Sequence, residues 1–67
     1  MTNNDRLCAW IENEVPEEKH ADIRARIIRE CDISRFTLGF WLYGLSEIPG
    51  WALRRIETIV EKKLFEY

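Results

Sequence analysis

Residues 34–44 read SRFTLGFWLYG. Ser34 offers a hydroxyl that can accept a free backbone N–H at the start of a helix, and Gly44 can adopt the left-handed conformation that closes one. The segment between them, about residues 35–44, is therefore expected to be helical. With about 3.6 residues per turn, Leu38, Trp41, Leu42 and Leu45 share one side of that helix, while Phe36, Gly39, Phe40 and Tyr43 share the other. The first set reads as core. The second is mostly aromatic and is expected to face outward, so what it meets decides what the chain does.

Upstream, residues 17–31 (EEKHADIRARIIREC) carry Ile23, Ile27 and Cys31 in an i, i+4, i+8 row, with Ile28 beside them. Acidic residues gather in the first turn and arginines follow along the length, as the helix dipole prefers. This is the second helix. Asp32 then breaks the pattern, and aspartate is one of the few non-glycine residues that enters the left-handed region cheaply. Helix two, a turn of Asp32, Ile33 and Ser34, and helix three together make a helix-turn-helix over about residues 20–44. Two short helices crossing steeply need apolar residues where they touch. Ile27, Cys31, Ile33, Leu38, Trp41 and Leu42 supply them.

Residues 4–14 (NDRLCAWIENE) form a first helix with Asn4 as its expected N-cap; Leu7, Trp10 and Ile11 lie on one face with Cys8 near them. Pro16 ends it, because a proline disfavours the helical conformation in the residue before it. After Gly44 the loop LSEIP leads to Pro49 at the start of a fourth helix. Leu53, Ile56, Ile59 or Val60, and Leu64 recur there at helical spacing. The tail LFEY is expected to continue that helix or to fray from it. Nothing alternates with period two for long enough to suggest a sheet. The expected fold is all-α: a compact bundle of four to five helices, one domain over residues 1–67, containing the helix-turn-helix.

A chain of 67 residues is near the lower limit for a domain held by its core alone. Its residues are 46% hydrophobic and 33% charged, which is a globular composition. No apolar run approaches the roughly 18 residues of a membrane span, and the first twenty residues lack the order of a signal peptide. A cytoplasmic location is expected. Cys8 and Cys31 sit in helical apolar patterns and read as buried reduced thiols, because a zinc site wants four clustered ligands and His20 stands alone. His20 reads as a polar surface residue, and no metal or cofactor is expected. Nor is an enzyme, because the chain has one histidine, no nucleophile elbow, no phosphate-binding glycine loop and no acid pair with an evident pocket.

The net charge is −2, but it is unevenly spread. Residues 1–18 set Arg6 against Asp5, Glu12, Glu14, Glu17 and Glu18. Residues 19–43 set Lys19, Arg24, Arg26, Arg29 and Arg35 against only Asp22, Glu30 and Asp32. The positive excess falls on the helix-turn-helix.

The string RARIIRECDISRFTLGFWLYG, followed by EIPGWALRRIETIV, resembles the Cro-and-repressor class of phage helix-turn-helix proteins, also called lambda-repressor-like. It is similar to small phage or mobile-element versions over about residues 23–60. The matching positions are Ile27, Ile28, Glu30, Cys31, Ile33, Ser34, Arg35, Thr37, Trp41, Leu42, Gly44, Ile48 and Pro49. The resemblance implies an operator-binding regulator, usually a homodimer on double-stranded DNA, with helix three in the major groove. Carried over by position, Ser34 and Thr37 approach phosphates, and Arg35 meets a phosphate or a guanine edge. Phe36, Phe40 and Tyr43 stand where such proteins place base-reading side chains. The Arg24 region adds electrostatic grip.

Two positions depart from the family pattern. Asp32 replaces a common glycine, which the left-handed turn tolerates. The aromatic outer face matters more, because among the bases only the thymine methyl offers an apolar target. Phe36 and Phe40 can pack on thymines and Tyr43 can donate to a phosphate, but such a helix reads little sequence. Gly39 costs roughly 1 kcal/mol relative to alanine inside a helix, which suggests that another backbone comes close to it. The aromatic set therefore has several readings: a thymine-rich operator face, a homodimer seam, a surface that captures a foreign protein, or burial within a longer fold. The principal expectation is a DNA-binding transcriptional regulator. The alternative is a protein-binding module or inhibitor that keeps the scaffold and uses Phe36, Phe40 and Tyr43 as an apolar interface.

Overall fold

A computed structural model describes residues 1–67. The first helix, α1, runs Asn3–Glu14. Its cap is Thr2, not Asn4: the Thr2 hydroxyl accepts from the Asp5 N–H at 3.1 Å, and the Asp5 carboxylate accepts from the Thr2 N–H at 3.2 Å. This reciprocal box satisfies the free N–H groups two residues earlier than expected. Asn4 is thereby left inside the helix, where it is buried. Val15, extended ahead of Pro16, ends α1 as the proline requires.

The second helix starts later than the acidic residues suggested. Glu17–Lys19 form a single 3-10 turn, and α2 spans His20–Cys31. His20 is half-buried, and its ring Nε2 donates to the Val15 carbonyl at 2.8 Å, which draws the chain tight at this corner. Asp32 adopts the left-handed conformation, φ 54° and ψ 51°. The N–H groups of Asp32 and Ile33 both donate back to the Ile28 carbonyl.

Ser34 caps α3, Arg35–Leu42, by accepting from the Thr37 N–H at 3.1 Å. Gly44 closes the helix at φ +74°. The Leu45 N–H donates to the Phe40 carbonyl at 2.8 Å and the Gly44 N–H to the Trp41 carbonyl at 3.3 Å, the paired bonds of a Schellman motif. The helix therefore stops before Leu45. That residue leaves the core stripe to which it was assigned and is 72% exposed.

The fourth helix, α4, spans Gly50–Val60 after Pro49 and buries Ala52, Leu53, Ile56 and Ile59. It ends where Glu61 turns left-handed at φ 59°. The tail neither extends the helix nor frays. Leu64 and Phe65 donate their N–H groups to one carboxylate oxygen of Glu57 at 2.7 and 2.8 Å, and the Tyr67 hydroxyl donates to the other. Glu66 and Asn3 exchange two further bonds, which tie the tail to the start of α1. Phe65, 1% exposed, enters the core. There are thus four α-helices and no fifth, because the left-handed step at Glu61 returns Phe65 to the protein instead of carrying it past the end of α4.

The fold is all-helical. α1 packs on α3, and α2 packs on both α3 and α4. Ile27, Cys31, Leu38 and Trp41 are buried together with Leu7, Ile11 and the α4 row, while Ile33 and Leu42 are half-buried against them. Cys8 is only half-buried, unlike Cys31. No helix is long and apolar enough to cross a membrane.

Candidate functional site

The α3 helix has one side in the core and one in solvent. Leu38 and Trp41 lie inward at 2% and 3% exposure, whereas Phe36, Phe40 and Tyr43 are 63%, 48% and 82% exposed. The fold does not bury the aromatics. Leu45 adds to the exposed apolar surface at the C-terminal end of the helix. Its exposure follows because the Schellman turn at Gly44 ends the helical spacing before Leu45 is reached.

Arg35 lies in the first turn with its guanidinium 5.1 Å from the centre of the Phe36 ring. The contact is exposed and worth about 0.5–1 kcal/mol, so it holds the arginine near the aromatic face without neutralising it. Arg24 on α2 is also exposed. The ion pairs of the chain are Arg6–Glu66, Arg26–Glu30 and Lys62–Glu14, so Arg24, Arg29 and Arg35 keep their charge free of a carboxylate partner. Arg26 is spent on Glu30 at 2.8 Å, and that bond holds the Glu30 carboxyl below the usual carboxylate range. The Ser34 hydroxyl is used in the cap and lies 3.2 Å from the Thr37 hydroxyl. The two oxygens thus sit together at the exposed start of α3.

Gly39 meets no neighbour. A Cβ built at this position finds nothing within 4 Å. No residue of the chain itself therefore requires a glycine here, and any close approach that exploits it comes from outside. Gly39 opens onto a cleft of about 260 Å³ where α1, α2 and α3 meet. Arg24, Arg35 and Tyr43 stand around the same cleft, above Ile11, Ile28, Leu38 and Leu42. Phe36 and Phe40 do not line it. The residues singled out on α3 thus divide between an aromatic face and a cleft, with Tyr43 shared by its position at the helix end.

Sequence reasoning did not foresee that α1 supplies a wall of this cleft through Cys8, Ile11 and Glu12. Which face of α1 meets α3 depends on tertiary packing, and the spacing within α1 carries no signal of it. Trp51 is 49% exposed and meets the Trp41 ring in a T-shaped arrangement, with centroids 6.5 Å apart and planes at 70°. Burial pushes the Cys31 thiol up, which suits a core residue and not a nucleophile. No group of three or more His, Cys, Asp or Glu side chains gathers closely enough to hold a metal ion.

In comparisons with known protein families, curated proteins and solved structures, the chain matches none.

Proposed function

We propose that the chain is a small DNA-binding transcriptional regulator of the phage or mobile-element, Cro/repressor-like type, which occupies an operator as a homodimer. In this reading α2, the Asp32–Ser34 turn and α3 are a helix-turn-helix, with α3 in the major groove and α2 across the backbone. The observation that carries the reading is the open outer side of α3 next to two arginines, Arg24 and Arg35, that have no carboxylate partner. Arg35 meets a phosphate or a guanine edge, Arg24 a phosphate, and the Ser34–Thr37 end of α3 a further phosphate. Phe36 and Phe40 pack on thymine methyls and Tyr43 donates to the backbone. Gly39 leaves room for a strand to come close. Sequence discrimination by such a face is low, and most of the affinity is electrostatic.

A second reading is favoured by the aromatics themselves. Phe36, Phe40, Tyr43 and Leu45 are large, apolar and open to solvent along α3 and just past its C-terminal end. Clustered exposed apolar residues mark protein contacts. On this reading the scaffold is a protein-binding module and DNA contributes little.

Fluorescence anisotropy of a labelled random-sequence duplex, titrated with the protein at low and at physiological salt, separates the two. Binding at about 10⁻⁴–10⁻⁶ M that weakens steeply with salt supports the regulator. No binding at low salt removes it and leaves the aromatic face as a protein interface.

A further inference from the structure

The cleft between α1, α2 and α3 has an apolar floor that neither DNA nor a protein face on Phe36 and Phe40 uses, while Arg24, Arg35 and Gly39 at its edge are shared with the DNA reading. Its floor is apolar: Ile11, Ile28, Leu38 and Leu42. Its rim is charged and asymmetric. Arg24 and Arg35 stand on the α2 and α3 sides without carboxylate partners, and Glu12 stands on the α1 side, accepting weakly from the Cys8 thiol at 4.0 Å. Positive charge prevails at this opening although the chain as a whole carries −2. Gly39 removes the side chain that any other residue would put into the space, and nothing else in the chain lies within 4 Å of where it would start. At about 260 Å³ the cleft is smaller than a drug-sized pocket, which is roughly 300–1,000 Å³.

We propose that this cleft is a binding site for a small amphipathic carboxylate, its short aliphatic body on Ile11, Ile28, Leu38 and Leu42 and its anionic head between Arg24 and Arg35. A guanidinium matches a carboxylate with two parallel N–H donors, and two of them facing one opening select an anion over an amine or an alcohol. Glu12 opposes the head group and turns it toward the arginines. The absent side chain at position 39 is what makes the cleft deep enough for the aliphatic body. One consequence rests on the DNA reading above: Arg24 and Arg35 cannot grip a phosphate and the ligand together, so an occupied cleft weakens DNA binding. Occupancy itself is independent of that reading.

The test is a titration of the ¹⁵N-labelled full chain with sodium hexanoate and, separately, with 1-hexanol, followed by amide chemical shifts. Hexanoate is expected to give saturable shifts centred on Ile28, Gly39 and Leu42. Hexanol, which lacks the charge, binds about tenfold more weakly, the ratio set by one charge-assisted hydrogen bond. Gly39→Leu fills the cleft and abolishes the hexanoate shifts in a spectrum that remains dispersed. The milder Arg24→Gln, which leaves Arg35 in place, weakens hexanoate part of the way to the level of hexanol, and Glu12→Gln tightens it. The proposal is overturned by equal affinities for the two ligands, by shifts centred on Phe36 and Phe40, or by no saturable change at Gly39. None of these outcomes depends on whether the protein binds DNA, which the anisotropy experiment reads separately.

Discussion

The side-chain amide of Asn4 donates to the carbonyl oxygen of Trp41 at 2.7 Å, joining residues that are 37 positions apart in the chain. The same nitrogen donates to the Ser46 carbonyl at 2.8 Å. One buried amide from the first turn of α1 thus supplies hydrogen bonds to a carbonyl in the last turn of α3 and to one in the loop that follows it, tying the aromatic helix and its exit to the bundle.

Asn4→Ala leaves the Trp41 carbonyl short of a donor in a buried place and the Ser46 carbonyl short of one in a part-buried place. At about 1 kcal/mol net for each hydrogen bond, the loss is about 2 kcal/mol. Urea unfolding followed by tryptophan fluorescence is expected to show a lower midpoint with an unchanged slope. A variant as stable as the parent removes Asn4 from the account of how α3 is held.

Phe65 is the largest side chain with essentially no exposure, and it comes from the non-helical tail. Phe65→Ala is expected to cost about 3–5 kcal/mol, enough to unfold a domain of this size in part or in full. Phe65→Leu keeps most of the volume and costs less than about 1.5 kcal/mol. Circular dichroism melts of the pair distinguish a core residue from a loose end, since a frayed tail tolerates both changes.

Gly39→Ala places a methyl group where nothing stands within 4 Å, in a helix whose backbone alanine prefers. Stability is expected to rise by about 0.5–1 kcal/mol. If the glycine serves a close approach from outside, the same variant loses binding while it gains stability, a trade-off that thermal unfolding and the anisotropy titration read together.

The tail depends on pH through Glu57 and Tyr67. Burial works to raise the Glu57 carboxyl, but the N–H groups of Phe65 and Leu64, the Tyr67 hydroxyl and nearby Lys63 outweigh it and hold the group below the usual carboxylate range. A depressed carboxylate stabilises the fold fully above its unfolded value, about 4.3, and that contribution is lost as pH falls through the folded value. The hydrogen bond to Glu57 pushes the Tyr67 phenol up, so its contribution is present below its unfolded value, about 10, and is lost as pH rises through the folded one. The protection of the Leu64 and Phe65 amides against exchange, taken relative to the intrinsic rate at each pH, is therefore expected to be greatest between these limits. Glu57→Gln should flatten the acid side; an acid limb that survives the change assigns the effect elsewhere.

Arg35→Ala and Phe40→Ala separate the two functional readings. For the DNA reading, Arg35→Ala costs about 1–3 kcal/mol of binding and lowers its salt dependence. For the protein reading, Phe40→Ala removes the contact while Arg35→Ala does little, and salt has small effect. If neither change alters DNA binding, oligomeric state or partner capture, the outer face of α3 has no such role.

Much of the architecture could be read from local chemistry. Pro16, Asp32 and Gly44 each force or permit one backbone conformation, so the breaks between the first three helices follow from residue type. The i, i+4 rows identified Ile27, Cys31, Leu38 and Trp41 as core and left Phe36, Phe40 and Tyr43 outside, because a helix fixes which residues share a side. What lay beyond the sequence depended on contacts between distant segments. Asn4 reads as a cap until Trp41 and Ser46 are brought to it. The tail reads as the end of a helix until Glu57 offers a carboxylate to Leu64 and Phe65 and the core has a place for the phenyl ring. The cleft at Gly39 exists only because α1 lies against α3. Periodicity and capping are properties of neighbours in the chain and are legible there; the partner of a buried polar group, the return of a tail and the shape of a cleft are set by free energy that appears only when remote surfaces meet.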